Sequence, residues 1–159
     1  MTNNDILRRL RYTFDFSNSQ AAKLFASDPA SSTEVSVATF ESLIAKEEDP
    51  QYAECSDAQL ACFLDGLIVS KRGLREPPLP IVDKADDFRL SKNDILKKLR
   101  ITMNFREQEM LDTLTAGGSD MSKGELGALF RNPKHKNYRA CGNQVLRNFI
   151  RGLTLQLRE

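Results

Sequence analysis

Apolar residues along the first half of the chain recur at spacings of three and four, which is the period of an α-helix with one buried face. No alternating pattern typical of a β-strand lasts. The spacing predicts a first helix over about residues 3–14, a second over 18–27, a third that begins at Ser36 and a fourth over 57–71. Because each helix has a single apolar stripe, the stripes can be buried only against each other. The pattern therefore predicts a small all-helical bundle.

The second half of the chain repeats this pattern. The segment TNNDILRRLRYTFDF at residues 2–16 returns as SKNDILKKLRITMNF at residues 91–105, and residues 35–69 align with residues 121–155. Further helices are predicted over residues 106–116, from Ser122 and over residues 143–157. The fold class is therefore predicted to be all-α, a tandem duplication of a four-helix unit of about 70 residues.

The predicted boundaries follow from the repeat. Copy one covers residues 1–72 and copy two covers residues 91–159, with an inter-copy linker at residues 73–90 that contains Pro77, Pro78 and Pro80. Proline blocks a helix and favours an extended spacer. Since a lone bundle of this size has only a small core, we expect the two bundles to pack together.

Duplicated polar residues mark the helix starts. Thr2 and Ser91 are predicted N-caps, and the aspartate three residues after each of them completes a capping box and places negative charge at the helix N-terminus. The segments Ser56-x-x-Gln59 and Ser122-x-x-Glu125 have the same form. Asp5 and Asp94 are thus assigned to capping rather than to acid–base chemistry.

Four segments together resemble the YehS-like family of small bacterial proteins: NNDILRRLRYTF, ECSDAQLACFLDGLI followed by KRG, NDILKKLR, and HKNYRACGNQVLRNFIRGL. The resemblance extends over essentially the whole chain. It implies a duplicated helical domain in a bacterial, cytoplasmic protein of unknown function. It brings no catalytic residues and no established activity to carry over.

The composition argues against several classes of protein. The chain has 159 residues, of which 40% are hydrophobic and 28% charged, with no apolar run of the length that a membrane helix needs. The odd count of three cysteines, without a CxxC pair, argues against a disulfide framework or a zinc site and is typical of the cytoplasm. We expect no membrane partner, no metal and no cofactor.

Duplication also separates packing residues from candidates for chemistry. Cys55 and Cys141 occupy matching positions, so burial explains them better than reactivity. Each fourth helix also contains a glycine, Gly66 or Gly152, which suggests close approach of another helix and could mark the contact between the copies. His135 is the only histidine and has no nucleophile or acid beside it in the sequence. No catalytic set can be assembled, and the chain is predicted not to be an enzyme.

Charge is where the copies differ. Residues 1–72 hold seven Lys and Arg against eleven Asp and Glu, a formal charge of −4, whereas residues 91–159 hold thirteen against seven, a charge of +6. Copy two has a basic loop, residues 131–139, where copy one has an acidic loop, residues 46–54, that reads KEEDPQYAE. The candidate partner-binding residues are Arg131, Lys134, His135, Lys136 and Arg139 in the basic loop and the arginine stripe Arg147, Arg151 and Arg158 on the last helix; Glu47, Glu48 and Asp49 form the candidate acidic counter-surface.

Two hypotheses of different class follow. In the first, the oppositely charged loops make the protein a protein-interaction or self-association module. In the second, the basic loop and the arginine stripe bind phosphates of nucleic acid. The second is weakened by a net charge of only +1. In a third interpretation, both patches are solvated surface without a partner. The sequence leaves all three interpretations open.

Overall fold

The computed structural model describes residues 1–31, 33–80, 84 and 87–158. Within these residues it contains eight α-helices and no strand, four helices in each copy, which confirms the prediction of an all-α tandem duplication. The helices are α1 (Asn3–Thr13), α2 (Asn18–Leu24), α3 (Val37–Ile44), α4 (Asp57–Arg72), α5 (Lys92–Met103), α6 (Glu107–Ala116), α7 (Lys123–Leu129) and α8 (Asn143–Arg158).

The chain divides into two compact units, Met1–Leu90 and Ser91–Glu159. Part of the predicted linker is attached to the first unit. The backbone N–H of Leu90 donates to Oδ2 of Asp57 at 2.9 Å, and Nζ of Lys84 lies 3.5 Å from a carboxylate oxygen of Asp65. We call Lys84 and residues 87–90 the strap; the linker residues 81–83, 85 and 86 lie outside the described part of the chain.

The core of the first unit forms where the apolar stripes meet. Ile6, Leu7 and Leu10 of α1 have no exposed surface, and the buried ring of Phe25, which follows α2, lies 5.4 Å from the ring of Phe63 on α4, centroid to centroid. In the second unit Ile95, Leu96 and Leu99 repeat the α1 stripe, and α8 packs against α5 and α6. Each bundle therefore buries the helix faces that the three- and four-residue spacing predicted.

The predicted caps are present. Thr2 with Asp5, Ser91 with Asp94, Ser56 with Gln59 and Ser122 with Glu125 each form a reciprocal capping box. Ser17 and Gln20 form a further box at the start of α2 that the sequence interpretation missed. These bonds satisfy backbone donors of the first helical turn that have no partner inside the helix.

A buried asparagine joins three segments in each unit. Nδ2 of Asn4 donates to the carbonyl oxygens of Leu43 at 2.6 Å and Ala53 at 2.9 Å, while its Oδ1 accepts the backbone N–H of Cys55 at 3.1 Å. In the second unit Asn93 makes the same three bonds to Leu129, Arg139 and Cys141, at 2.8, 2.9 and 2.8 Å. The first helix of each unit thus fixes both the end of the third helix and the entry to the fourth.

The duplicated glycines mark helix contacts within each copy. A Cβ on Gly66 would lie 1.7 Å from the carbonyl oxygen of Leu24 in α2, and one on Gly152 would lie 2.0 Å from that of Thr113 in α6. The prediction of a close helix approach is confirmed. The suggestion that it marks the contact between the copies is wrong, because both approaches are to the second helix of the same unit.

Two helix predictions differ from the structure. Helix α2 ends at Leu24 rather than at residue 27, and Pro29 follows, which a helix cannot accommodate in its interior. The apolar spacing of α8 predicts that Leu157, four residues after Leu153, lies on its buried face, but Leu157 is 45% exposed. It lies in the last turn of the helix, beyond Leu153, the last buried residue of α8.

Candidate partner-binding surface

The basic loop projects from the second unit between α7 and α8. Its ends are fixed, since the backbone N–H of Arg139 donates to the carbonyl of Ala128 at 3.1 Å and the carbonyl of Arg139 accepts from Asn93 at 2.9 Å. Between them Arg131, Lys134 and Lys136 are exposed. The loop is therefore a rigidly anchored segment with cationic side chains in solvent.

Internal hydrogen bonds give this loop its shape. Oδ1 of Asn132 accepts the backbone N–H of Lys134 at 2.9 Å, which is an Asx turn, and the carbonyl of Asn132 accepts the N–H of His135 at 2.8 Å. Nη1 of Arg131 spans the loop and donates to the carbonyl of Asn137 at 3.2 Å. The guanidinium of Arg131 therefore helps to hold the loop as well as adding charge.

The acidic loop of the first unit has the same backbone hydrogen bonds. The N–H of Asp49 donates to the carbonyl of Lys46 at 2.9 Å, and the N–H of Tyr52 donates to the carbonyl of Asp49 at 3.0 Å. The corresponding bonds in the basic loop are His135 to Asn132 and Tyr138 to His135, at 2.8 and 3.0 Å. Glu47, Glu48 and Asp49 are exposed. The two loops thus share a conformation and carry opposite charge.

Asp49 and His135 occupy the same position and accept the same bond. Oδ1 of Asp49 accepts the backbone N–H of Gln51 at 2.8 Å, and Nδ1 of His135 accepts that of Asn137 at 3.0 Å. From the sequence alone, the change from Asp49 to His135 suggests that His135 has no part in the common fold. The structure corrects this, because both side chains stabilise the same turn.

The other basic candidates differ in how they are held. Arg139 forms an exposed ion pair with Glu125, 3.2 Å between Nη1 and Oε2, and the pKa of the Glu125 carboxyl lies below its usual value, mainly because the backbone N–H of Ser122 donates to it. Arg147 is half-buried and donates to Oε1 of Gln144 at 2.9 Å.

Arg151 and Arg158 of the stripe are exposed. At a rise of about 1.5 Å per residue, Arg147 and Arg158 are about 16 Å apart along α8. The stripe is therefore a long, shallow charged ridge, separate in form from the compact loop.

The cysteines at the entry to the fourth helices are buried. Cys55 is 3% and Cys141 7% exposed, and burial raises the pKa of the Cys55 thiol to about 12 and that of the Cys141 thiol to about 11. A thiolate is the reactive form, so these pKa values oppose reactivity near neutral pH. The geometry supports packing as their role.

The described residues contain neither a metal cluster nor a membrane-spanning helix. No group of three or more His, Cys, Asp or Glu side chains that could hold a metal ion occurs among the residues that the structure describes. Across the same part of the chain, every helix is too short or too polar to cross a membrane.

Comparison with known proteins places the chain in a family. The family model described as "Protein of unknown function (DUF1456)" matches it twice, over residues 3–73 and 92–159. The chain belongs to the DUF1456 family. Each match corresponds to one four-helix copy, so the structure gives the form of a DUF1456 repeat: four helices whose first, third and fourth members are joined by the buried asparagine.

A relative matches over nearly the whole length of both chains. The chain is 36% identical to "Uncharacterized protein YehS" of Escherichia coli (strain K12) over 153 residues, which cover 96% of this chain and 94% of the relative. No solved structure matches. The DUF1456 family therefore supplies an architecture and no activity.

Proposed function

We propose that this DUF1456 protein is a non-enzymatic interaction module that associates with protein surfaces, including other copies of itself, through its oppositely charged loops. The proposal rests on one observation: the basic loop and the acidic loop have the same conformation but opposite charge. Since the shared hydrogen bonds maintain the fold of both loops, the fold does not require the charges themselves. Charge that the fold does not require is available for recognition.

The loops are suited to binding because they are already ordered. Asn132, His135 and Arg131 hold the basic loop through bonds within it, and Asp49 holds the acidic loop. A loop that is fixed before binding loses less conformational entropy on association. Complementary charge then raises the association rate and selects the partner, more than it adds affinity.

Pairing of a basic loop with the acidic loop of another molecule is heterologous, because different surfaces meet. Such contacts leave one loop of each kind unoccupied, so association continues into chains or closes into rings. Exposed ion pairs are screened by salt. Self-association is therefore expected to be weak, concentration-dependent and reduced at high ionic strength.

Charge reversal in one loop at a time tests this. A Lys134→Glu/Lys136→Glu variant and a Glu47→Lys/Glu48→Lys variant are each expected to stay monomeric in sedimentation velocity at low salt. An equimolar mixture is expected to associate again, because the acidic loops of the first variant meet the basic loops of the second.

Matched controls change the same charges elsewhere. Lys97→Glu/Lys123→Glu in copy two and Glu34→Lys/Glu41→Lys in copy one alter exposed residues outside the loops and are expected to associate as the wild type does. A wild-type protein that stays monomeric at every concentration and salt would contradict self-association. Unchanged association in the loop variants would contradict the loops as its site.

The alternative is phosphate or nucleic-acid binding by the basic loop and the arginine stripe. The exposure of Arg151 and of the lysines of the basic loop favours it. The bonds of Arg139 to Glu125 and of Arg147 to Gln144 count against it, because they engage two of the candidate cations. Retardation of labelled DNA and RNA by wild type, and not by Arg147→Glu/Arg151→Glu, is the result that this alternative requires.

A further inference from the structure

A cavity of about 450 Å³ lies in the first unit, between the start of α4 and the strap. Glu54, Ser56 and Ala58 line it from the loop and the helix, and Phe88 and Arg89 line it from the strap. Its volume is in the range of sites that hold small molecules. The cavity is lined by Glu54 at the end of the acidic loop, but not by Glu47, Glu48 or Asp49, the residues proposed above for partner binding.

Both walls are held in place by charged groups. Asp57 accepts from Nδ2 of Asn3 at 2.7 Å through one oxygen and from the N–H of Leu90 at 2.9 Å through the other. Lys84 and Asp65 pair at 3.5 Å with side chains only 16% and 14% exposed. The strap is thus fastened to α4 at two points, Asp57 and Asp65.

Copy two lacks most of the side chains that build this cavity. The alignment of residues 35–69 with 121–155 pairs Glu54 with Ala140, Ser56 with Gly142, Asp57 with Asn143 and Asp65 with Arg151. The cysteine between them, Cys55 or Cys141, is shared and buried. The DUF1456 fold therefore forms without Glu54, Ser56, Asp57 and Asp65, and these side chains are particular to copy one.

The walls present charges of both signs. Glu54 and Arg89 are exposed, and Nη1 of Arg89 donates to the carbonyl of Phe88 at 3.2 Å. Both oxygens of Asp57 are engaged, by Asn3 and by Leu90. Phe88 contributes a half-buried ring, with Nζ of Lys84 5.5 Å from its centroid. A bound molecule would meet a carboxylate, a guanidinium and an apolar surface.

The geometry points to a binding site for a small zwitterion, a molecule with an amine and a carboxylate such as an amino acid or a short peptide. Its amine pairs with Glu54 and its carboxylate pairs with Arg89, since guanidinium and carboxylate groups match in shape and charge. Phe88 and Ala58 contact its apolar side chain.

Titration of the full-length protein tests the assignment. Free amino acids and dipeptides are added to ¹⁵N-labelled protein, in parallel with simple amines, simple carboxylates and inorganic phosphate. Zwitterions are expected to shift the amide resonances of the cavity residues and to bind more tightly than any of the single-charge compounds. Phosphate or a simple carboxylate that binds equally well would overturn the assignment, as would the absence of any shift.

Two variants locate the site. Glu54→Ala, which installs the residue that copy two has at this position, and Arg89→Ala are each expected to weaken zwitterion binding about tenfold, because each removes one charge-assisted hydrogen bond. Glu41→Ala and Arg9→Ala, exposed residues outside the cavity, are the controls and are expected to bind as wild type does. Unchanged affinity in the Glu54 and Arg89 variants would overturn the site. Self-association, measured separately, is not expected to change in Arg89→Ala, because Arg89 lies outside both charged loops.

Discussion

Nδ2 of Asn4 lies 2.6 Å from the carbonyl oxygen of Leu43, and this bond ties the first helix of copy one to the end of the third. Asn4 is 1% exposed, and its amide also bonds Ala53 and Cys55. The buried side chain therefore satisfies backbone groups of three residues, Leu43, Ala53 and Cys55. Asn93 does the same in copy two.

Replacement of Asn4 by alanine is expected to lower the free energy of unfolding by about 2–4 kcal/mol, because it leaves buried donors and acceptors without partners. Asn93→Ala is expected to cost a similar amount. Urea unfolding followed by circular dichroism measures both. Gln51→Ala, an exposed amide in the same unit, is the control, with an expected change within about 0.5 kcal/mol. A loss for Asn4→Ala no larger than this would contradict the structural role.

Replacement of the helix glycines by alanine is expected to lower stability at two positions and to raise it at a third. Gly66→Ala and Gly152→Ala place a Cβ 1.7 and 2.0 Å from backbone oxygens, so each is expected to destabilise the protein by about 2 kcal/mol despite the better helix propensity of alanine. Gly127→Ala on α7 meets nothing within 4 Å and is expected to stabilise it by about 0.5–1 kcal/mol. Thermal unfolding of the three variants checks the signs. Stabilisation by Gly66→Ala would show that the helix contact is looser than described.

His135 gives a prediction about loop structure. His135→Ala is expected to speed hydrogen exchange at the Asn137 amide, because Nδ1 accepts that N–H at 3.0 Å. His135→Asp, which copies Asp49 of the acidic loop, is expected to keep the exchange slow. Exchange measured by NMR distinguishes the two. Equal exchange rates in wild type and His135→Ala would mean that the turn does not depend on this bond.

The buried thiols predict a loss of stability at high pH. Burial raises the pKa of Cys55 to about 12 and that of Cys141 to about 11, from an ordinary value of 9.0. The folded state keeps these protons to higher pH than the unfolded chain does, so their stabilisation is complete below about pH 9 and is lost as the pH rises toward 11 and 12. Each thiol is expected to contribute a fall of about 1.4 kcal/mol per pH unit in that window.

Comparison with a Cys55→Ala/Cys141→Ala variant isolates this effect from other groups that titrate at high pH. Denaturant unfolding at pH 7.5 and pH 10.5, under reducing conditions, is expected to show a stability difference between wild type and variant that shrinks at the higher pH. A difference that stays constant would contradict the raised pKa values.

Local patterns predicted the helices and most of their caps. The spacing of Ile6, Leu7 and Leu10 identified a buried face, and the Ser-x-x-Glu and Thr-x-x-Asp segments identified helix starts, because both signals depend only on residues a few positions apart. The repeat allowed each signal to be checked against its copy. The same comparison identified the contrast of charge between residues 46–54 and 131–139.

Signals that depend on distant residues were missed. Asn4 and Asn93 match in the alignment, yet nothing nearby in sequence reveals that their partners lie about 40–50 residues later. The equivalence of Asp49 and His135 was also missed, because a carboxylate and an imidazole accept the same bond without resembling each other. The one available clue was that an asparagine occurs at the same position near the start of the first helix in both copies.

The sequence by itself determined that this protein is an all-α tandem duplication of the DUF1456 repeat, since periodicity, capping and repetition are properties of the chain alone. Only the tertiary structure decided which helix each glycine approaches, what the asparagines bind and that the oppositely charged loops share one conformation. The strap and its cavity belong to this second group. Such features arise from atoms that folding brings together across the chain, and their geometry is fixed by packing and by the need to satisfy buried polar groups.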